Sequence, residues 1–473
     1  MILRSWLSEA VLEDTIGCEA EGVDLGDARL DRRYRLLLER LAGQPGRSIP
    51  AACQGRAQTQ AAYRFLDHAS VTPGKLLAPH REATRRRMAA ERTVVVAQDM
   101  TEIDLTRPER VVGGPLADDG RTGFFGHVLL AATVGGLPLG LLDARTWSRD
   151  PETVGTAKAT RKDRPLADKE SVRWIEGYRT CVGAARSQPG VEVVCVSESE
   201  GDVYELFVEV ETQGHAAKSI VRACQDRRLA DSAALLFAAA AAAPVLGRRA
   251  IDVSNRQAPP SETRKRRKAR SARTATVVLR PPNRTDGKLP SVTVTAVLAR
   301  EVDPPAGEEA IEWLLVTDLP ATTLAEAQRV LDLSACRWLV EVYFRTLKTG
   351  CRIERLQLAT PGRMRNALCL YQVVAWRVLL VTMAGRDCPD LPCDTVFDTA
   401  EWQAVSVVVK RTTVPMTPPR LAEMVALVAR LGGHQGRKSD PPPGPQAMWV
   451  GMQQARTLAL AWETFGPGAK TYA

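Results

Sequence analysis

The sequence predicts an α/β protein whose mixed sheet core is flanked by helical segments at both ends. Three observations carry this. Between about residues 92 and 222, short β-branched runs alternate with amphipathic stretches in the order strand, hairpin of two strands, helix, strand, helix, strand, which is the rhythm of a mixed sheet. From about 245 to 320 that rhythm gives way to strand-like segments alone, read as a β-rich insertion. On either side, apolar residues recur at helical spacing.

In chain order, "LGDARLDRRYRLLLERLAG" reads as a helix closed by its final Gly, with Arg29, Arg32, Arg33 and Arg35 between the apolar positions. "AQTQAAYRFLDHASVTP" repeats the pattern with Tyr63, Arg64 and Phe65. These arginines read either as a solvated helix face or as phosphate contacts. "RTVVVAQDMTEIDL" is a buried strand expected to end at Asp99, and "FFGHVLLAATVGG" and "LPLGLLDARTWSR" form a hairpin turning at Gly135 and Gly136. "DKESVRWIEGYRTCVGAARSQPG" is a helix stopped by Pro-Gly. "VEVVCVSESEGDVYELFVEV" holds a strand, an acidic turn and a helix opening at Asp202, and "KSIVRACQ" is a further strand. "RQAPPSETRKRRKARSARTATVVLRPP" sets a dense basic run between Pro-rich ends, followed by the strands "PSVTVTAVLAREV" and "IEWLLVTDLP". Helices then run to about residue 432, "SDPPPGPQ" interrupts them, and a last helix surrounds Trp449.

A chain of 473 residues suffices for two or three domains around one sizeable core. Its formal charge of +9 favours a polyanionic partner, most simply nucleic acid. The ten cysteines show no C-x-x-C pair, and Cys388 and Cys393 lack histidines at zinc spacing, so reduced thiols are expected and a metal–thiolate site is not. The N-terminus "MILRSWLSEAVLEDT" carries acids where a signal peptide would be apolar, and "AALLFAAAAAAPVLG" stops at Pro244. The expectation is a soluble intracellular protein with no membrane partner and no apolar run long enough to span a bilayer.

"SACRWLVEVYFRTLKTG", residues 334–350, is the least ordinary stretch. At 100° per residue, Arg337, Glu341 and Lys348 fall on one narrow polar seam, with Ser334 and Arg345 at its edge. Trp338, Leu339, Val340, Val342, Tyr343, Phe344 and Leu347 cover most of the remaining circumference, the pattern of a buried helix. A carboxylate there needs a cation or a metal. A structural Arg–Glu pair and a functional seam both satisfy that need, although Arg N-terminal to Glu is the weaker order for a helical pair. Two further acids stand at expected strand ends, Asp99 and Glu198, where open α/β sheets place their sites. Three carboxylates suit Mg²⁺, and two such ions would serve phosphoryl transfer. Asp99 capping the "DMT" turn and Glu198 as a surface residue of "SESEGD" are the alternative readings.

These motifs resemble the Tn-five-type cut-and-paste transposases, insertion sequence family four, over essentially the whole chain. That family shows Tyr, two residues, Arg, three residues, Glu, six residues, Lys; Arg337, Glu341 and Lys348 match its last three members. "QDMTEIDLT" and "KESVRW" resemble further family blocks, and "LGDARLDRR" with "AAYRF" resembles the N-terminal DNA-binding part. The resemblance implies an RNase H-like DDE core with Asp99, Glu198 and Glu341 as catalytic metal ligands. It implies two Mg²⁺ ions, with Mn²⁺ able to substitute. Arg33, Arg64, Arg222, Arg337 and Lys348 would bind DNA, and Trp313 would stack on a base flipped from a DNA hairpin. Partners would be terminal inverted repeats and target DNA, held by a homodimer in a bacterial cytoplasm. The implied domains are a helical DNA-binding domain (1–75), the first part of the core (76–245), the β-rich insertion (246–320), the Glu-helix part of the core (321–370) and a helical dimerisation region (371–473). Two positions depart from the family. Ser334 replaces the tyrosine, and "ESEGD" stands where the family has D-R-E-G-D, putting Glu198 in place of an aspartate. That second departure keeps an alternative in view, a transposase-derived DNA-binding protein or transposition inhibitor that cuts poorly. The insertion and the seam disfavour a generic RNase H-like nuclease.

Overall fold

The computed structural model describes residues 16–467 except 108, 118–119, 152–168, 254–265, 284–288, 305–306, 308 and 438, with backbone only for 249–253 and 266–270. The N-terminal part of the dense basic run therefore lies outside the described residues. A 3₁₀ turn at Gly17–Ala20 precedes four helices: α1 Ala28–Gly43, α2 Ile49–Cys53, α3 Arg56–Asp67 and α4 Pro73–Ala89. Next come β1 Thr93–Asp104, β2 Gly114–Pro115, β3 Thr122–Thr133, β4 Pro138–Trp147, α5 Val172–Ser187, β5 Glu192–Ser197, α6 Tyr204–Thr212, β6 Lys218–Arg222 and α7 Leu236–Ala242. Four strands follow, β7 Val245–Val253, β8 Arg266–Leu279, β9 Val292–Glu301 and β10 Glu312–Thr317. The remainder is helical: α8 Leu324–Ala335, α9 Trp338–Arg345, a π turn Thr346–Gly350, α10 Pro361–Asp387, α11 Thr399–Lys410, α12 Leu421–Leu431 and α13 Pro445–Phe465. The chain divides into two compact units, the first Met1–Arg92, Met100–Gly155 and Trp338–Ala473, the second Thr93–Asp99 and Thr156–Arg337.

The second unit is built on a sheet in the order β1-β5-β6-β10-β9-β8-β7. The first half of β1 runs parallel to β5, from Thr93↔Glu192 to Gln98↔Ser197, and β5 runs parallel to β6. Parallel strands are covered on both faces, hence the unbroken apolar runs Val94–Ala97 and Val193–Val196. β10 pairs antiparallel with β6, and β9, β8 and β7 add on in antiparallel fashion. The β-rich insertion thus continues the core sheet. Val297 and Ala299 of β9 and Leu315 of β10 share one core with Val95, Val194, Ile220 and, on α8, Ala327 and Val330. Each such buried side chain contributes about 1.5–3 kcal/mol. A capping box, Thr323 with Glu326, opens α8 against that core.

In the first unit β3 and β4 form the expected hairpin, turning at Gly135 and Gly136. Gly136 sits at φ +92°, a left-handed conformation that glycine adopts at no steric cost. The second half of β1 lies beside β3, and a Cβ on Gly123 would meet the Ile103 carbonyl at 2.0 Å, so only glycine fits there. Around this hairpin pack α1–α4 and the C-terminal helices. α10 is 27 residues long and apolar enough to cross a membrane by length and composition, and its apolar window is entirely buried. That corrects the sequence expectation that no run reaches such a length; here it is the core helix of the unit. Asp27 caps α1 by accepting the Arg29 N–H at 2.8 Å, and Ser48 caps α2. All ten cysteines are free.

Three expectations about element boundaries need correction. The stretch 334–350 is not one helix. At Cys336 and Arg337 the backbone tightens, Arg337 N–H bonding the Ser334 carbonyl at 3.2 Å, before α9 restarts and then widens into the π turn. Trp338, expected on a buried face, is 44 % exposed. β1 does not end at Asp99 but runs five residues further to Asp104, because it leaves β5 there and continues beside β3. Finally, α6 opens at Tyr204 rather than at Asp202, whose carboxylate is engaged elsewhere.

Candidate active site and DNA-binding surface

The last rung between β1 and β5 is Gln98↔Ser197. The next residue on each strand is an acid, Asp99 on β1 and Glu198 leaving β5, so parallel register delivers two carboxylates side by side. Glu198 opens a 3₁₀ turn, Ser199–Gly201, and accepts the Ser199 N–H at 3.4 Å. The glycine of "ESEGD" is dictated by packing, since a Cβ on Gly201 would lie 2.5 Å from Ser197 Oγ and 3.2 Å from Trp174. Asp202 accepts the N–H groups of Cys224 and Gln225 at 2.8 Å each and pairs with Arg227 at 2.5 Å. It thereby fixes the loop that begins directly after Arg222.

Arg337 joins the two acids. Its Nη1 lies 3.0 Å from Asp99 Oδ2 and its Nη2 2.6 Å from Glu198 Oε1, while Arg222 Nη1 lies 3.3 Å from Glu198 Oε2. The Arg337 side chain is only 12 % exposed, so this charge-assisted pairing is screened far less than a surface ion pair. The structural and functional readings of the seam thus meet in one residue, but Arg337 pairs with Asp99 and Glu198. Each acid keeps lone pairs beyond those given to the arginines, and two hard-oxygen donors converging on one cation are the chemistry a divalent ion uses. Among the described residues, no three His, Cys, Asp or Glu side chains are grouped closely enough to hold a metal ion. Asp99 and Glu198 are brought together; a three-acid cluster is not found.

In the first unit, Glu341 stands half-buried in the first turn of α9. Lys348, in the π turn, has its Nζ 3.7 Å from Glu354 Oε1. Glu354 also accepts the Asp104 N–H at 3.1 Å, and Arg107 donates to its carbonyl. Glu354 was missed at the sequence level, although it lies six residues beyond Lys348 in a segment dense with arginine.

Of the expected DNA contacts, Arg33 is half-buried and donates to Gln58 Oε1 at 2.7 Å, while Arg64 is exposed. Tyr63 carries the Arg363 guanidinium 5.2 Å above its ring. Asn366 holds the carbonyls of Leu66 and Val71 at 2.9 Å, seating α3 and the loop after it against α10. Trp313 lies on β10 opposite Ala299 and is half-buried, not enclosed in the core.

A hairpin and two parallel strands around β1, with acids beyond its last parallel rung, define an RNase H-like protein of the DDE class. Three family profiles match in succession: Transposase DNA-binding over residues 14–71, Transposase DDE domain over 213–376, and Transposase Tn5 dimerisation domain over 373–463. The chain belongs to the Tn5-type DDE transposases. The matched domains carry DNA binding, homodimer formation and, through the DDE domain, dependence on divalent metal. Among solved structures, the chain overlaps a piggyBac transposase synaptic complex with hairpin DNA, determined by cryo-EM. That overlap covers all of this chain and 82 % of the other, at 8 % identity and a TM-score of 0.34, too loose to bear on mechanism.

Proposed function

We propose that this protein is a cut-and-paste transposase that binds terminal inverted repeats as a dimer, cleaves both strands through a DNA hairpin and joins the ends to target DNA. The observation that carries the proposal is the convergence of Asp99 and Glu198 beyond the last β1–β5 rung. Asp99, Glu198 and Glu341 would hold Mg²⁺, which supplies an activated nucleophile and stabilises the leaving oxygen. Arg337 holds the first two carboxylates in a fixed relation, orienting their oxygens before substrate arrives. Arg222 adds positive charge at the same place, and with Arg337 and Lys348 it would meet DNA phosphates. Arg33 and Arg64 would contact the backbone or groove of the bound end.

Trp313 would stack on an extruded base, and its half-buried place on β10 leaves ring surface available for that. Stacking of this kind is worth about 1–3 kcal/mol, so Trp313→Ala should slow the step after the first nick by roughly ten- to a hundredfold while first-strand nicking and thermal stability hold. Equal losses in nicking and in stability would return Trp313 to a packing role.

A second reading, a DNA-binding relative that no longer cuts, is favoured by Glu198 itself. Its arm is one methylene longer than the family's aspartate, and both of its oxygens are taken up by arginines. Misplacing a reacting group by about 1 Å costs on the order of a hundredfold. Wild type should therefore bind ends well but cleave them slowly in Mg²⁺ and faster in Mn²⁺, and Glu198→Asp should raise the Mg²⁺ rate by roughly ten- to a hundredfold. Cleavage that falls on this substitution would show a site adapted to glutamate.

A further inference from the structure

We propose that a cleft in the first unit, between the α1–α2 loop and the segment after the π turn, is a second binding site for the sugar-phosphate backbone of DNA. The inference rests on the transposase reading for the identity of its polyanion, and half of the cleft lies outside the 14–71 stretch matched as DNA-binding. The cleft encloses about 540 Å³ and is lined by Arg47, Ser48 and Tyr63 on one side and by Arg352, Arg355 and Gln357 on the other. That volume is in the usual range for ligand sites, about 300–1,000 Å³.

Its charge is unusual. Elsewhere in this unit Arg29, Arg35, Arg81, Arg87 and Arg363 each face a carboxylate. Arg47, Arg352 and Arg355 are exposed and, among the described residues, make no ion pair. No Asp or Glu lines the cleft. The one acid in the neighbouring segment, Glu354, is taken up by the Asp104 N–H and Lys348, leaving the arginines on either side of it uncompensated. Three like charges around one concavity repel one another and focus a positive potential that an anion relieves. Arg352 adopts φ +54°, a left-handed conformation uncommon outside glycine, between the buried side chains of Cys351 and Ile353. The burial of its neighbours holds it there.

The positive surface also has length. A second cleft of about 360 Å³ shares Arg47 with the first and continues past Gln44 to Gln453 and Gln454 on α13, again with no acid in its lining. A row of guanidinium groups followed by hydrogen-bonding amides suits a chain of phosphates, which such groups position without reading sequence.

The test is fluorescence-anisotropy titration of the full-length protein with a random-sequence labelled duplex of about 20 base pairs over a series of salt concentrations, since each phosphate contact adds about 0.9 to the log–log salt slope. Arg47→Gln, Arg352→Gln and Arg355→Gln together should weaken binding at least about tenfold and lower the slope by about 2–3. A charge-matched control, Arg420→Gln, Arg430→Gln and Arg437→Gln, should leave the slope near wild type. If the first triple variant fails to fold by circular dichroism, Arg355→Gln alone should still lower the slope by about 1. Wild-type affinity and slope in the cleft variant, or an equal loss in the control, would overturn the assignment. If wild type binds no DNA at all, the transposase reading falls with it.

Discussion

Asp99→Asn should reduce cleavage of element-end DNA on the order of a hundred- to a thousandfold, the range expected when one preorganised electrostatic group is deleted from a reacting centre. The substitution is nearly isosteric. The asparagine side chain would still fill the place beyond the Gln98↔Ser197 rung and could still accept a hydrogen bond from Arg337. What disappears is a negative charge beside Glu198, and with it much of the affinity for a divalent cation. DNA affinity should hold, because phosphate contacts come from arginines and lysines spread over other elements. The measurement pairs a cleavage time course with gel-shift titration of the same preparation. Unchanged cleavage would remove Asp99 from the reacting centre, and parallel loss of binding and cleavage would make it structural.

The second large effect concerns stability. Glu19, in the 3₁₀ turn before α1, is 1 % exposed and receives Arg87 Nη1 at 2.7 Å and Nη2 at 3.3 Å. His80 also pairs with it. Because the Leu141 N–H donates to His80 Nε2 at 2.9 Å, the ring proton must sit on Nδ1, which donates to Glu19. Arg87 in turn lies 4.5 Å over the Trp376 ring and donates to the Leu139 carbonyl. This buried cluster ties the chain's beginning to α4, β4 and α10. Glu19→Ala would leave a largely buried guanidinium and an imidazole N–H without their acceptor, at a cost of about 3–5 kcal/mol. Against a typical total of about 5–15 kcal/mol, urea unfolding should shift conspicuously to lower concentration. A shift worth under about 1 kcal/mol would mean that water replaces the carboxylate.

The same cluster sets a pH dependence. Burial alone would raise the Glu19 pKa, but Arg87 and His80 bring it down to about 2. Its stabilisation is therefore present above the ordinary carboxyl value of 4.5 and lost as pH falls from there toward 2. Burial lowers the His80 pKa despite the neighbouring carboxylate. The unfolded chain then takes up a proton near 6.5 that the folded chain resists, so stability falls again on acidification below that value. Both groups act in the same direction.

Much of the core was legible because its strands are buried on both faces. Val94–Ala97 and Val193–Val196 have no polar side to confuse with a helix, and the alternation of strand and helix followed directly. The hairpin was legible from two glycines between apolar runs. The break before α9 was not, because apolar residues continue from Leu333 to Leu347 without a Gly or Pro to mark it. What interrupts that helix is a single tightened turn. The end of β1 was misplaced for a related reason. "MTEID" is as compatible with a strand as what precedes it, and only the change of partner from β5 to β3 makes Asp99 special. At the site, the acids and Arg337 could be named from spacing, but not that Arg337 would bridge Asp99 and Glu198, since the three are far apart in sequence. The roles of Glu354 and of the unpaired Arg47, Arg352 and Arg355 depend on which charges find partners in three dimensions, and no local pattern encodes that.

The most direct test of the transposase reading supplies the 3′ end ready-made. A duplex carrying the inverted repeat that flanks the gene, pre-cut at the element boundary, is incubated with wild-type protein, Mg²⁺ and supercoiled plasmid, and joined products are counted on a gel. Joining bypasses the slow cleavage expected of Glu198 and demands only that Asp99, Glu198 and Glu341 support phosphoryl transfer on a paired end. Joined plasmid that depends on divalent metal and is lost in Asp99→Asn is the expected result. Tight binding of the pre-cut end with no joining in either Mg²⁺ or Mn²⁺ would contradict it and leave a DNA-binding protein that has kept the transposase fold without its chemistry.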